Sequence, residues 1–449
     1  MSLSNAAVTG VTLPTAKYVN SIGEEFPNGN RTYKVESSIS NRYLRDYLPV
    51  NANISSGSVT DSYVEFIISG NQNEFIDCES FTIETKLEIQ KPDGTPIDDS
   101  CKVSVVDGLA HRLFSKCSMH LNGVPCENNS YFGIYNMLKT YLSMGKHELS
   151  STGRNSYYKD VAKSPIVETF TDANFTVANL SSEEKEIINE CKKPLHFMTP
   201  VNLDLASANF FLMNSVDVRL RFDLASSSSI INTSDDTEYK YHISHMKLWC
   251  QKIVPYPSAL MSLSQSLVNS NEVIDYIFKR PVIKQYIFPQ GHTTLTLDNI
   301  FNGIVPHMLY VFLIHQSNLN GSYKRNSGYL SNGNISNLLL EINGNTYSSL
   351  SGSFPDQVAH IFHQTLNNIN GDNHLLSLQS FKEGRCIYAY DLRNSDCDDV
   401  ISVEKSGNVR ITMQTRSAIA ENLAVFVVVT TSGLIEIDAH RRVRTSYLM

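Results

Sequence analysis

Three stretches of this chain alternate apolar and polar residues with a period of two, and that pattern constrains its fold more than any other feature. Phe81, Ile83, Thr85, Leu87 and Ile89 alternate with Thr82, Glu84, Lys86, Glu88 and Gln90. Val216, Val218, Leu220, Phe222 and Leu224 alternate with Asp217, Arg219, Arg221 and Asp223, and Val409, Ile411 and Met413 repeat the pattern. Successive side chains of a strand point to opposite faces, so each stretch predicts a strand with one dry and one wet face. Leu423 to Val429 is apolar throughout, as in a strand buried on both faces. Turn chemistry separates such runs: Pro92-Asp93-Gly94, Asn122-Gly123 and Asn343-Gly344. Helical signals are few. Ser181 and Glu184 have capping-box spacing for a helix to about Cys191, a second helix follows Tyr131 through Tyr141, and Asp356 could cap a third carrying Val358, Ile361, Phe362 and Leu366. The pattern predicts an all-β fold with short helices in its connections.

At 449 residues the chain exceeds what one hydrophobic core organises, so two domains are expected. Hydrophobic residues make up 41%, enough to fill them. The net charge of −8 provides no protein-wide positive field, which excludes a basic nucleic-acid-binding protein as the overall description. Residues 1–60 show no periodicity, carry Pro14, Pro27 and Pro49, and read as an arm. Residues 1–20 lack the apolar core of a signal peptide, and no apolar run approaches the ~20 residues of a membrane span. The chain is therefore expected to be made and kept inside a cell. Its eight cysteines, scattered without a CxxC pair, are expected to be reduced, and sequons such as Asn174-Phe175-Thr176 to be unglycosylated.

The two halves echo one another. HLNG (120–123) and EING (341–344) place Asn122 and Asn343 at an offset of 221 residues, and Gly70 and Gly291 share that offset. VRLRF (218–222) and VRITM (409–413) repeat at an offset of 191. Three echoes in the same order predict a tandem duplication of one β-domain, with equivalent strands following Gly70 and Gly291.

Catalytic constellations are not evident. No GxSxG, GxGxxG or GxxxxGK[ST] string occurs. His242 and His245 with Cys250 offer metal-ligating atoms, but residues i and i+3 of a strand face opposite ways. His111, Cys117, His120 and Cys126 match no metal-ribbon spacing. His360 and His363 share a helix face without an evident third ligand, and His292 stands alone. Glu24-Glu25, Glu183-Glu184 and Asp396, Asp398 and Asp399 read as solvated charges. No catalytic, cofactor-binding or metal-ligating residue is assigned. The basic concentration lies at His440, Arg441, Arg442 and Arg444, suited to nucleic acid, an acidic partner or a clamp on a neighbouring subunit.

Five segments together carry a family resemblance. VEFIISGNQNEFIDCESFTIETKLEIQKPDG and LAHRLFSKCSMHLNGVPCENNSYFGIYNMLKTYLSMGKHEL resemble the opening strands and the strand, Asn-Gly turn and aromatic-rich helix of double jelly-roll major capsid proteins. LMNSVDVRLRFDLA, LDNIFNGIVPHMLYVFLI and SGLIEIDAHRRVRTSY fit the same family in the same order. The closest resemblance is to Polinton/Maverick elements and adintovirus-like viruses. The segment SYKRNSGYLSNGN (322–334) departs from the family, whose members tend to carry an Asn-Pro-Phe-like element there.

The resemblance implies two tandem eight-stranded jelly rolls, at 61–275 and 276–438, between the arm 1–60 and a basic tail 439–449. It implies a non-enzymatic subunit without cofactors that forms a homotrimer. Such trimers serve as pseudo-hexameric capsomers of an icosahedral shell around a double-stranded DNA genome. Neighbouring capsomers and penton or minor capsid proteins are the expected partners, and Arg441, Arg442 and Arg444 could touch packaged DNA or an acidic partner. The expected location is the virion, after synthesis in the cytoplasm or nucleus. The alternatives are a tandem β-sandwich that binds carbohydrate or protein, a single-roll minor or vertex capsid protein, and a jelly-roll enzyme. Trp249 as the sole tryptophan argues against a lectin.

Overall fold

The computed structural model describes residues 38–51, 61–145, 148–149, 156–160, 166–175, 180–208, 210–270, 273–351, 358–369, 374–393 and 405–447. Ten strands precede the helix Pro257–Ser270: β1 (Ile39–Tyr47), β2 (Tyr63–Ile68), β3 (Phe75–Gln90), β4 (Val103–Val105), β5 (Phe114–Leu121), β6 (Val124–Asn129), β7 (Leu195–Pro200), β8 (Val218–Leu224), β9 (Ile231–Thr233) and β10 (Lys240–Pro255). Nine follow it: β11 (Ile274–Phe288), β12 (Thr294–Val305), β13 (Met308–His315), β14 (Ile335–Ile342), β15 (Asn345–Ser351), β16 (Tyr388–Asp391), β17 (Lys405–Thr415), β18 (Leu423–Ile437) and β19 (Val443–Tyr447).

These strands form two antiparallel sandwiches with the same wiring. The first faces the sheet β1-β10-β3-β7 with β2-β8-β5-β6, and the second faces β11-β18-β13-β16 with β12-β17-β14-β15. In each, the first strand lies beside the last and the second beside the last but one, which is the jelly-roll order. The period-two stretches supply the cores. Val218, Leu220 and Phe222 of β8 point inward with no exposure, while Arg219 and Arg221 face water. Phe222 packs against Phe66, Phe114 and Phe132 at centroid distances of 6.3, 5.1 and 5.7 Å. Truncating such a hub to alanine costs about 3–5 kcal/mol. Val311 and Leu313 of β13, Leu338 and Leu340 of β14, and Ile411 and Met413 of β17 fill the second core.

The duplication extends to individual hydrogen bonds. Asn122-Gly123 and Asn343-Gly344 are two-residue turns with φ of 47° and 82°, and 54° and 79°, the left-handed pair that type I′ hairpins require. Each asparagine also ties its hairpin to the neighbouring strand. Asn122 Oδ1 accepts from the Asp217 N–H at 2.8 Å, and Asn343 Oδ1 accepts from the Asn408 N–H at 2.9 Å. In return the Asn122 and Asn343 N–H groups each donate to Asp217 and Asn408 carbonyls at 3.0 Å. At these hairpins the 221-residue offset of the asparagines and the 191-residue offset of their partner strands mark equivalent positions.

Several expectations need correction. Residues 39–47, within the supposed arm, form edge strand β1, which pairs with β10 from Tyr47–Leu248 to Ile39–Pro255. Its outward residues are polar except Leu44, so an edge strand without an apolar stripe gives little periodic signal. That missed strand shifts the glycine echo by one step. Gly70 lies between β2 and β3, whereas Gly291 lies between β11 and β12, so the strands after them are not equivalent. The second sandwich opens at Ile274, two residues before 276, and the connection ahead of it is helical. The helix Ser182–Cys191 carries its capping box, with Glu184 N–H on Ser181 Oγ at 3.1 Å and Ser181 N–H on Glu184 Oε2 at 3.2 Å. The helix after Tyr131 spans Phe132–Ser143, and Val358–Asn368 is helical, although Asp356 lies outside the described residues. Short helices at Leu109–Arg112, Ser227–Ile230, Gln316–Leu319 and Leu378–Lys382, like Pro257–Ser270, had no sequence reading.

Candidate functional site: the junction of the two rolls

The run Leu423 to Val429 explains how the rolls meet. Leu423, Val425, Val427 and Val429 face the second core, while Ala424, Phe426 and Val428 face the first roll. There they join Phe312 and Ile314 of β13 and meet Met137, Leu138 and Tyr141 of the helix Phe132–Ser143. Phe426 stacks on Phe312 at 5.2 Å and takes the edge of Tyr131 at 5.4 Å. A strand covered on both faces is a continuous apolar run because each face buries its own set of side chains.

A buried ion pair lies in this junction. Arg385 Nη2 donates to Asp107 Oδ2 at 2.9 Å, both side chains being 1% exposed. The same Nη2 reaches the Lys159 carbonyl at 2.9 Å and Nη1 the Leu375 carbonyl at 3.3 Å. Asp107 also accepts from the Tyr141 hydroxyl at 2.7 Å and the Lys159 N–H at 2.7 Å. The guanidinium lies 4.4 Å from the centre of the Tyr141 ring. Burial works against the charge of Arg385, but Asp107 and Tyr141 outweigh it and hold its pKa above the ordinary value. Burial, with Asp107 beside it, pushes the Tyr141 hydroxyl well up, so it stays a donor.

Two glycines make the approach possible. Gly108 has φ 71° with the Tyr158 ring 2.7 Å from where a Cβ would stand, and Gly384 has φ 95° with Ile166 at 2.9 Å. Any side chain at either position would be strained and would collide.

The two long insertions meet beside this pair. Phe170 N–H donates to the Lys324 carbonyl and Asn326 N–H to the Glu168 carbonyl, both at 2.8 Å, which joins the β6–β7 connection to the β13–β14 connection. Arg112 Nη2 reaches Ser327 Oγ at 2.6 Å, and Ser327 Oγ donates to the Ser229 carbonyl at 2.6 Å. The segment 322–334 is thus fixed against the first roll. What this geometry does chemically is to orient: Arg385 is paired with Asp107, and hydrogen bonds tie the two insertions to each other and to the first roll.

The residues weighed for chemistry lie apart. His242 and His245 sit on β10 with a register irregularity between them, and Cys250 belongs to the first core. His111 is buried, with Nδ1 3.1 Å from the Tyr158 hydroxyl and Nε2 3.3 Å from the Pro200 carbonyl. Burial lowers its pKa to about 4, which keeps the ring neutral. Cys117 and Cys126 are core residues, and His120 lies on the outer side of β5. His360 and His363 are exposed, as is His292 in the β11–β12 turn. Glu184 serves its capping box, Glu183 is buried, and Glu24, Glu25, Asp396, Asp398 and Asp399 lie outside the described residues.

The basic tail is built into the fold. Val443–Tyr447 pairs with the end of β18 as β19. Arg441 donates through Nε to the Asn214 carbonyl at 2.9 Å and through Nη2 to Asn214 Oδ1 at 2.7 Å. Its carbonyl accepts from Asn122 Nδ2 at 2.8 Å. Arg441 is therefore engaged with the first roll rather than presented to a partner, whereas Arg442 and Arg444 are exposed. Asp107, Tyr141 and Arg385 escaped sequence reading because the pair is 278 residues apart and belongs to no spaced motif.

The architecture defines the class: a double jelly roll, with two sandwiches of one topology joined through a buried face. Among solved structures, the chain resembles one from the cryo-EM structure of the Sputnik virophage, with 12% identity, a TM-score of 0.59, and 93% of this chain and 91% of that chain covered. It resembles the mavirus major capsid protein at 11% identity and a TM-score of 0.53, covering 100% of this chain and 96% of that one. It also resembles the Faustovirus major capsid protein at 9% identity and a TM-score of 0.55, covering 88% and 90%. At these identities the likeness is one of fold. No family model and no curated protein matches the sequence.

Proposed function

We propose that this chain is a major capsid protein: a non-enzymatic subunit of an icosahedral shell around a double-stranded DNA genome, related to those of Polinton/Maverick elements and adintovirus-like viruses. The observation that carries the reading is the equal wiring of the two rolls and their packing against one another through Phe426, Phe312 and the helix Phe132–Ser143. Three such chains present six similar barrels, so a cyclic trimer can occupy a six-fold lattice site as a pseudo-hexameric capsomer. A minor or vertex protein would need only one roll. The first roll is taken to run from β1 to β10 and the second from β11 to β18. The residues ahead of β1, with Arg442 and Arg444, supply contacts to neighbouring capsomers, penton or minor capsid proteins, or packaged DNA. The location that follows is the virion, after synthesis inside the host cell. Electron microscopy of the purified protein tests this reading: three-fold particles with hexagonal outline or closed shells support it, and solitary two-lobed particles under every salt condition overturn it.

A further inference from the structure

One chain uses its repeated interface only once. The helix Phe132–Ser143 follows the Asn122-Gly123 hairpin of the first roll, and its Met137, Leu138 and Tyr141 cover the outward face of the sheet β11-β18-β13-β16 in the second. The helix Val358–Asn368 follows the Asn343-Gly344 hairpin of the second roll in the same way. Its equivalent target in the first roll is the outward face of the sheet β1-β10-β3-β7. Both halves of this second contact stay exposed: Ala359, His360, His363 and Asn367 on the helix, and Leu44 at 57% and Met198 at 41% on the sheet.

Strand register fixes what that sheet face carries. Trp249 of β10 lies between Asp46 of β1 and Thr82 of β3, and Met198 of β7 pairs with Glu84 of β3. Directly paired residues share a face, and Leu44, two residues from Asp46, shares it too. Trp249 Nε1 donates to Glu84 Oε2 at 2.8 Å, which anchors the indole there. Phe426 holds the corresponding place on β18, between Gln285 of β11 and Phe312 of β13. The two faces differ in polarity for a physical reason. The one under Phe132–Ser143 is buried as soon as the chain folds, so it is apolar. The one around Trp249 must stay soluble until a second chain arrives, and it carries the ion pairs Lys247–Asp46 at 2.9 Å and His196–Glu84 at 3.0 Å.

We infer, building on the capsomer reading, that the helix Val358–Asn368 of a second copy of this chain docks on the outward face of β1-β10-β3-β7, with Ala359, His360 and His363 set against Leu44, Met198 and Trp249. The same helix-on-sheet contact then occurs alternately within and between chains. Each contact advances one barrel, so three chains close a ring of heterologous contacts. The helix brings no lysine, arginine or carboxylate, so docking leaves no full charge of its own unpaired. Leu44, Met198 and Trp249 supply the apolar anchors among charges already paired.

Disulfide trapping in the full chain tests the contact, with sedimentation equilibrium of the wild type alongside. Met198→Cys and His363→Cys chains are coexpressed, purified and oxidised, and linked peptides are read by mass spectrometry. Links between positions 198 and 363 of different chains are expected, well above those in a control that pairs His363→Cys with Ile67→Cys on the opposite sheet of the first roll. All three positions are exposed, so the substitutions leave folding intact. The double variant His360→Glu, His363→Glu, which sets carboxylates against Glu84 and Asp46, should weaken trimer association roughly tenfold or more. A trimeric wild type whose 198–363 links are no commoner than the control overturns this docking and leaves the capsomer reading standing. A trimer in which Met198→Cys resists maleimide yet forms no such link assigns the face to another segment of its own chain, which also overturns it. A monomeric wild type overturns both.

Discussion

The guanidinium of Arg385 donates to the carboxylate of Asp107 at 2.9 Å, across 278 residues of sequence and between two separately wired barrels. Desolvating both charges opposes the pair, and its extra hydrogen bonds to Tyr141, Lys159 and Leu375 offset that cost. Removing one partner strands the other. Arg385→Met or Asp107→Asn should destabilise the chain by about 3–5 kcal/mol in urea unfolding, while Arg385→Met combined with Asp107→Leu should recover much of the loss. If the double variant is as unstable as the sum of the singles, the pair contributes through independent contacts instead.

Two buried groups give stability opposing pH dependences. Burial raises Glu127 from 4.5 to about 7, the Asp204 N–H bond and Lys139 offsetting it only partly. Between those values the folded chain keeps a proton that the unfolded chain releases, so this group makes stability fall as pH rises from 4.5 to 7. His111 does the reverse: lowered from 6.5 to about 4, it refuses a proton that the unfolded chain accepts, and stability falls as pH drops through that window. His111 contributes up to about 3 kcal/mol. Glu127→Gln should therefore raise the melting temperature at pH 8 and change it little at pH 4.5. A uniform shift at both values would show that packing, not ionisation, dominates.

The tail offers a sharper test than its charge suggests. β19 adds a strand to β18, Val443 joins the first core, and Arg441 holds Asn214. Deleting residues 439–449 should lower the melting temperature by several degrees as well as impair assembly. Unchanged stability with failed assembly would return these residues to a purely intermolecular role.

Burial also predicts thiol reactivity. It pushes Cys191, Cys250 and Cys386 up to about 12 and Cys78 and Cys117 well above their ordinary value, leaving little thiolate at pH 8. Cys101 is only half-buried. Native alkylation read by mass spectrometry should modify Cys101 well before any of those five, and unfolding should expose them all.

The barrels were legible in sequence where one face is wet and the other dry, as in β8, because burial then writes period two. The doubly buried run at 423–429 was legible for the complementary reason: both faces bury side chains, one against its own core and one against Phe132–Ser143. β1 escaped because an edge strand with polar outward residues carries neither signature. The junction escaped almost entirely. Asp107 and Arg385 lie in loops and strand ends whose proximity follows from topology, and local spacing carries no trace of it. The asparagine turns were readable because their left-handed backbone demands a particular residue pair.

Two equally wired rolls in one chain suit the three-fold capsomer proposed for this protein. Sedimentation equilibrium of the purified full chain at micromolar concentration measures this directly. A species at three times the 50.3 kDa chain mass, or larger shells assembled from it, is the expected result. A strictly monomeric protein at every salt concentration would contradict it.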